Sequence, residues 1–318
     1  MVPPESLRRS AIARPLRSAT ARVGASFRSL LSGDAQGRPE WVTDLASGPA
    51  ESLFEVDGPA WTVHASLPTL VGGIRALLLQ TLHPVAVDAV DRHSAFRDDP
   101  IGRLRRTTRW LTVTTFGTPD QARDEAGRVN RIHERVTGMR PADPDVPGGA
   151  EVGYRADDPD LLAWVHAAFT DSFLTAHQQL RGPTIPGGPD AYVADWARSA
   201  ELLGLTDAPA DRAGLDAYLT SLRQGTLTRS AAGDRAREFL LAPPLPTGQR
   251  AAYRLLLRAA TATLDPHDAE LLDLPSVRVG TLPATRGLLA ALHVVLGPAS
   301  PAESAARQRM GAAPRTRP

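Results

Sequence analysis

Three histidines are the residues of this chain best suited to chemistry, because each lies on an apolar helical stripe. His133 continues a stripe of Ala122, Ala126 and Val129, at spacings of four, three and four, and Val136 follows it. Residues three and four apart share one helix face, so we expect His133 to point inward. A buried imidazole is neutral or bonded through its ring nitrogens, and a neutral imidazole can bind a metal ion. The spacing therefore makes His133 a candidate metal or cofactor ligand.

His166 and His83 repeat this arrangement. The stripe of His166 contains Leu162, Phe169 and Phe173, and that of His83 contains Leu79, Ala86 and Val90. A single core histidine is usually satisfied by a backbone carbonyl or a carboxylate. Three of them between positions 83 and 166 favour a cofactor or metal pocket instead. At this point both interpretations remain open.

The residues that are absent narrow the choice of cofactor. The chain has no cysteine, which excludes Fe–S clusters, zinc fingers and haem attached through CxxCH. No histidine has Glu three residues before it, so the Glu-x-x-His pairs of di-iron bundles are missing, and His133-Glu134 does not continue into HExxH. GxGxxG, GxxxxGK and GxSxG motifs are absent too. A core histidine near arginines suits a non-covalent haem, whose propionates pair with guanidinium groups.

A basic helix face could supply those guanidinium groups. Arg103, then Arg106 or Thr107, then Trp110 recur at spacings of three and four after Pro100. The adjacent face is more apolar and contains Leu104, Thr108, Leu111 and Thr115. On spacing alone, the basic face is either a haem-pocket wall or a solvated surface.

Helix signals dominate the chain and predict an all-α fold in which a bundle-like domain encloses a cofactor pocket. Asp99-Pro100 and Asp158-Pro159 each place an N-cap before proline, and Thr118 to Gln121 has capping-box spacing. We expect the first helix to run towards Thr115, the helix of His133 to close at Gly138, and the helix of His166 to end near Ala176. Pro84 should kink a long apolar helix over 70–90. Further helices are expected near 189–203, 211–223, 248–264 and 284–296.

Length and composition indicate one large domain with an arm at each end. The 318 residues are 42% apolar, and we expect a catalytic domain over 46–297, a basic N-terminal arm over 1–45 and a disordered tail over 298–318. The net charge of +1 gives no reason to expect a nucleic-acid partner. The chain has no run of about 18 apolar residues, so we expect no transmembrane helix. We expect a cytoplasmic protein.

Several ordered blocks resemble one known family. They are Gly72-Gly73-Ile74-Arg75-Ala76-Leu77-Leu78-Leu79-Gln80-Thr81-Leu82-His83-Pro84, Asp91-Arg92-His93-Ser94, Pro100 to Thr107, Phe116-Gly117-Thr118, Val136-Thr137-Gly138, Tyr154 to Pro159 and Trp164-Val165-His166-Ala167. Together they resemble the oxygenases that include rubber oxygenases (latex clearing proteins) and the ER-bound oxygenase of mycophenolic acid biosynthesis. The resemblance is strongest from Phe54 to Leu180.

The resemblance implies a b-type haem in a helical core. It implies His133 as the proximal ligand, Arg103 and Thr107 as haem-pocket residues, and His83 and His166 as surrounding groups or alternative ligands. The chain departs from rubber oxygenases at Arg106, which stands where they have the distal lysine, and this predicts a distal iron position that is open or holds water. A glutamate that they have before the arginine block is also missing, since only aspartates lie between His83 and Arg103.

The leading hypothesis is a haem-b oxygenase that uses O₂ to oxidise an apolar small molecule, including oxidative alkene cleavage. Arg103, Arg106 and Thr107 would then be catalytic-site residues. One alternative is a haem-free helical binding or scaffold protein whose core histidines are satisfied internally. Another is a non-haem metalloenzyme that uses His83, His133 and His166 directly as ligands.

Overall fold

The computed structural model describes residues 24–25, 28–29, 32–93, 99–140, 151–181 and 184–315. Within these ranges the chain forms helices and one two-stranded antiparallel sheet. The helices are α1 (Glu40–Asp44), α2 (Pro59–His64), α3 (Thr69–Gln80), α4 (Pro84–His93), α5 (Pro100–Phe116), α6 (Pro119–His133), α7 (Pro159–Arg181), α8 (Gly188–Glu201), α9 (Arg212–Gly225), α10 (Ala231–Leu241), α11 (Thr247–Ala262), α12 (Pro266–Leu271), α13 (Thr281–Leu296) and α14 (Pro301–Arg309). Strands β1 (Thr137–Arg140) and β2 (Val152–Arg155) lie between α6 and α7. The predicted all-α fold is confirmed.

The centre of the core is the contact between α3 and α7. Gly72 allows the close approach, because a Cβ there would lie 2.7 Å from Cδ1 of Phe173. Beside it the Arg75 guanidinium forms a 2.6 Å ion pair with Asp171, both side chains being buried. Arg75 also donates to the Thr263 carbonyl at 3.0 Å, which ties α3 to the end of α11. The apolar residues of α8, α9 and α11 to α13 complete this core.

The predicted helix starts are confirmed, because their signals are local. The Asp99 carboxylate accepts a hydrogen bond from the Gly102 amide at 2.8 Å and caps α5. The Thr118 hydroxyl accepts from the Gln121 amide, and the Gln121 side chain accepts from the Thr118 amide, so α6 begins with a complete capping box. Helix α7 begins at Pro159, as expected, and extends to Arg181.

Two predicted helix boundaries are wrong. Pro84 does not kink one long helix but begins a separate one, and α3 and α4 meet at an angle of 102°. Helix α6 ends at His133, and Gly138 lies in β1 opposite Tyr154. Gly138 is needed there because a Cβ would lie 2.5 Å from the Tyr154 hydroxyl oxygen. The constraint on this glycine is thus strand packing and not helix termination.

The prediction of disorder from residue 298 is wrong for the segment that forms α14. The Ser300 hydroxyl accepts from the Glu303 amide at 3.1 Å, which starts the helix. Glu303 is fully buried and pairs with Arg307 at 3.0 Å, while Ala306 packs in a cluster with Trp61 and Phe116. The spacing of Ser300 and Glu303 is a helix-start signal that could have been read from the sequence. In the predicted basic arm, residues 1–23 lie outside the described ranges, and α1 forms near its end.

Among the described helices, none is by itself long and apolar enough to cross a membrane. Two bent pairs, α3 with α4 and α13 with α14, meet the length and composition requirement together.

Candidate active site

Helices α5 and α6 form an antiparallel hairpin, and this determines how far along the bundle each candidate residue lies. The turn between them is only Gly117-Thr118, and Nε of Arg109 lies 3.0 Å from the Glu125 carboxylate across the hairpin. At 1.5 Å per residue, Arg103 lies about 20 Å before the end of α5 and His133 about 21 Å after the start of α6. The hairpin therefore brings Arg103 and His133 to the same end of the bundle.

Helix α7 is linked to α5 through His64, which contacts both helices. The imidazole of His64 connects their far ends, with Nδ1 2.8 Å from the Thr115 hydroxyl and its ring 5.3 Å from that of Phe173. Helix α7 begins after the β-hairpin that follows α6. His166 lies seven residues before Phe173, which is about 10 Å along the axis of α7. Thr108 lies the same number of residues before Thr115 on α5.

In each of the three helices, the side chains are less buried in the segment that contains the candidate residues. In α5, Val113 to Phe116 are buried, while Leu104, Thr107 and Leu111 are half-buried. In α6 the predicted stripe is buried at Ala122 and Ala126 but half-buried at Val129 and His133, and Val136, which follows the helix, is half-buried too. In α7, Phe173 is buried, while Leu162, His166 and Phe169 are half-buried. Each of the three helices thus carries partly covered apolar side chains in the segment that contains its candidate residue, and we call these segments together the N-terminal α5 face.

His133 has a buried ring nitrogen. Its Nδ1 atom forms no hydrogen bond with any of the described residues. Burial lowers the pKa of His133, and the charge of Asp157 opposes this shift. The imidazole is therefore mainly neutral at pH 7, and a neutral imidazole keeps a nitrogen lone pair available to a metal ion.

The arginines of α5 are crowded by each other. Burial and the neighbouring Arg106 lower the pKa of Arg103 to about 10, which still leaves Arg103 charged at pH 7. The Arg106 guanidinium lies 3.6 Å from the Asp99 carboxylate at an exposed position. The Thr107 hydroxyl donates to the Arg103 carbonyl at 3.2 Å, so its oxygen remains able to accept. Two adjacent guanidinium groups at a partly buried surface favour an anionic ligand.

His166 is held within α7 and is neutral. Its Nε2 lies 3.3 Å from the Thr170 hydroxyl, which itself donates to the His166 carbonyl at 2.7 Å. Since that hydroxyl proton is already used, Nε2 of His166 is the donor to Thr170 and Nδ1 carries the lone pair. Burial lowers the pKa of His166 to about 4.

His83 is not brought to the same place. Its ring lies 5.7 Å from that of Trp164, and its Nδ1 accepts from the Ala86 amide at 3.3 Å. Trp164 precedes His166 by two residues, about 200° around α7, so His83 packs on a different side of this helix. Among the described residues there is no group of three or more potential metal-binding side chains. The structure therefore does not assemble His83, His133 and His166 as a three-histidine metal site.

Sequence reasoning missed two buried histidines. His64 lies between Thr115 and Tyr192, with Nε2 3.0 Å from the Tyr192 hydroxyl, and burial lowers its pKa to about 3. His177 lies 2.9 Å from the Ser66 hydroxyl. Because Thr115 donates to the Leu111 carbonyl, His64 must donate to Thr115 through Nδ1 and accept from Tyr192. Helix α2 was too short to show a periodic stripe, although Gly58-Pro59 signals its start.

The chemistry of these side chains fits a non-covalent haem. A haem needs one neutral axial nitrogen, an apolar surrounding and cations for its two propionates. His133 offers the buried Nδ1 without a described partner, and the N-terminal α5 face offers apolar side chains together with Arg103 and Arg106. A purely internal role for His133 would instead leave a buried polar atom unsatisfied, which is costly.

Comparison with known proteins supports one family. Residues 61–296 match the model of the family described as ER-bound oxygenase mpaB/B'/Rubber oxygenase, catalytic domain. The match begins at the core of α2 and ends with α13, so it includes α5, α6 and α7 and excludes α14. No curated protein and no solved structure matches the chain.

Proposed function

Since the chain belongs to the ER-bound oxygenase mpaB and rubber oxygenase family as a catalytic domain, we propose that its oxygenase activity depends on haem b bound at the N-terminal α5 face. The family makes the chain an O₂-dependent oxidoreductase. The single observation that supports a haem at this place is the buried Nδ1 of His133, which has no partner among the described residues. The apolar helix faces around it suit an apolar substrate.

In this proposal His133 would hold the haem iron, and Arg103 and Arg106 would pair with the propionates. When bound, the haem supplies the iron at which O₂ is activated. A guanidinium is a poor iron ligand, so we assign Arg106 to anion binding and not to iron coordination. The Thr107 hydroxyl, which already donates to Arg103, offers an acceptor oxygen next to the same arginine.

The remaining residues bind substrate and handle protons. The apolar side chains Leu104, Leu111 and Phe169 would contact the substrate and exclude water. His166 is neutral above its pKa of about 4, so its Nδ1 lone pair can accept a hydrogen bond or a proton at neutral pH. Oxidative cleavage of an alkene is the reaction that we propose within this class, with a small apolar alkene as substrate.

Cofactor identification tests the proposal directly. We expect the purified chain, expressed with haem supplied, to contain one haem b per chain. The pyridine haemochrome spectrum measures the type and the amount of haem. Iron without a haemochrome spectrum, or a folded chain that contains neither, would contradict it. Oxygen consumption with a panel of apolar alkenes then tests the reaction, with saturated analogues of equal length as controls.

A further inference from the structure

A second buried polar site surrounds the imidazole of His64, at the opposite end of α5 from Arg103. Its Nε2 accepts a hydrogen bond from the Tyr192 hydroxyl at 3.0 Å, and its Nδ1 donates to the Thr115 hydroxyl at 2.8 Å. Thr115 donates its own proton to the Leu111 carbonyl, which fixes these directions. Tyr192 is fully buried, and His64 is 8% exposed. The proposed function uses neither of these two residues.

The Tyr192 hydroxyl thus has a base as its hydrogen-bond partner. Burial raises the pKa of Tyr192 well above its ordinary value, so the phenol keeps its proton at neutral pH. Burial also lowers the pKa of His64 to about 3, so the imidazole is neutral and its Nε2 lone pair faces the phenolic proton. Loss of an electron turns a phenol into a very strong acid, far stronger than an imidazolium ion. An oxidised Tyr192 therefore transfers its proton to His64 through the existing hydrogen bond.

Aromatic rings lead from this pair to the protein surface. The ring of Trp196 lies 4.2 Å from that of His64, and the ring of Phe54 lies 5.5 Å from that of Trp196. The guanidinium carbon of Arg198, an exposed residue, lies 5.5 Å from the centre of the Phe54 ring. Tryptophan, like tyrosine, loses an electron more readily than most side chains. Because electrons cross such short distances rapidly, the pair is connected to the surface for electron transfer.

A second series of rings leads from His64 towards the candidate active site. The ring of Phe173 lies 5.3 Å from that of His64, and Phe169 stacks on Phe173 with 5.5 Å between the ring centres and 18° between the planes. Phe169 belongs to the N-terminal α5 face and lies three residues from His166 on α7. The two series of rings therefore meet at His64, one from the surface and one from the candidate site.

We propose that Tyr192 and His64 form a redox-active pair, in which Tyr192 gives an electron to a strong one-electron oxidant and its phenolic proton to Nε2 of His64. The products are a neutral tyrosyl radical, an imidazolium ion and an oxidant reduced by one electron. An electron returned through Phe54 and Trp196, with the proton from His64, restores the phenol. The pair would discharge oxidants that an O₂-dependent oxidoreductase forms when its substrate is absent. Their origin at the N-terminal α5 face rests on the proposed function, whereas the pair itself does not.

The chain contains no cysteine, so a single introduced cysteine can carry a photo-oxidant. Arg198→Cys places a ruthenium tris(bipyridine) label next to Phe54 in the full chain, expressed without added haem. We expect a light flash with a sacrificial electron acceptor to produce the electron paramagnetic resonance spectrum of a neutral tyrosyl radical. Tyr192→Phe should abolish this spectrum. Tyr218→Phe, at a half-buried tyrosine of α9, should retain it.

His64→Gln separates proton transfer from packing. Glutamine offers an acceptor oxygen to the Tyr192 hydroxyl but is not a base. The rate of radical formation should fall by roughly a hundredfold or more, the usual contribution of a positioned proton acceptor. Full exchange of the labelled chain into D₂O should also slow the reaction, which a merely structural hydrogen bond does not predict. A folded labelled chain without the radical, a radical that persists in Tyr192→Phe, or a rate unchanged in D₂O or in a folded His64→Gln would overturn the pair.

The haem-loaded chain tests the connection to the candidate site. Mixed with hydrogen peroxide in the absence of substrate and then frozen, it should give the same tyrosyl spectrum. Tyr192→Phe should lose that spectrum and keep the Soret band. A peroxide-treated chain whose radical does not depend on Tyr192 would overturn the connection, although the photochemical result would stand. A chain that forms no Soret band would overturn the proposed function, and the flash experiment would still decide the fate of the pair.

Discussion

Arg109 and Glu125 form a 3.0 Å ion pair across the hairpin of α5 and α6, where the two-residue turn places them opposite each other. Glu125 is almost fully buried and also contacts Arg128. Its carboxylate therefore pairs with two arginine side chains, those of Arg109 and Arg128. The hairpin places Arg103 and His133 at the same height along the two helices. The same hairpin thus carries both His133, the proposed iron ligand, and Arg103 and Arg106, the proposed partners of the propionates.

Two adjacent glycines in α3 should respond in opposite ways to alanine. Gly72→Ala forces a Cβ against Phe173 and the Ser172 carbonyl, and overpacking of this kind costs about 1–3 kcal/mol. A Cβ at Gly73 would meet no atom of the described chain within 4 Å, so Gly73→Ala should be neutral or stabilising by about 0.5–1 kcal/mol. Urea unfolding of both variants measures the difference. Equal effects would contradict the α3–α7 contact.

The buried ion pair of α3 and α7 should be sensitive to loss of one partner. Asp171 accepts from Arg75 and from Arg212 at 2.6 and 2.9 Å. Asp171→Ala leaves the buried Arg75 charge uncompensated and should lower the free energy of unfolding by about 3–5 kcal/mol. Asp216→Ala removes the exposed partner of Arg212 and should cost less than about 1 kcal/mol. A similar free-energy change in the two variants would show that burial does not decide the effect.

The chain should lose stability in mild acid. The folded-state pKa values of His64 and His166 are about 3 and about 4, below the unfolded value of 6.5. Above pH 6.5 both states are neutral at these groups, so they contribute no pH dependence. Below it the unfolded chain binds protons that the folded chain does not, and each histidine lowers the free energy of unfolding by at most about 1.4 kcal/mol per pH unit. Urea unfolding at pH 7.5, 6 and 5 measures this slope, which His64→Gln should reduce.

The arginines of α5 should contribute to haem affinity through charge. Arg103→Gln and Arg106→Gln each remove a proposed propionate partner, and a charge-assisted hydrogen bond contributes about 1.5–3 kcal/mol. We therefore expect affinity losses of about tenfold or more in haem titrations. Arg123→Gln, an exposed arginine of α6 paired with Asp120, serves as the control. Unchanged affinity in both α5 variants would place the propionates elsewhere.

The sequence predicts those parts of the fold that depend on neighbours along the chain. Asp99 and Thr118 cap their helices through contacts within three residues, so both starts could be identified. The β-hairpin could not, because Gly138 and Tyr154 pair across sixteen positions and neither strand exceeds four residues. Strand pairing that short leaves no alternating pattern to detect.

The candidate site shows the same division. Helical spacing places His133 and Arg103 on defined faces, and the two-residue turn between α5 and α6 brings them to the same end of the bundle. The sequence groups His83 with His133 and His166, whereas packing puts His83 against Trp164 on another side of α7.

A Soret titration of His133→Ala tests whether His133 holds a haem. His267→Ala is the control, since His267 is exposed at the start of α12. We predict a Soret band with one haem per chain in the original protein and in His267→Ala, and none in a folded His133→Ala. A His133→Ala variant that keeps the Soret band and the haem affinity would contradict the account.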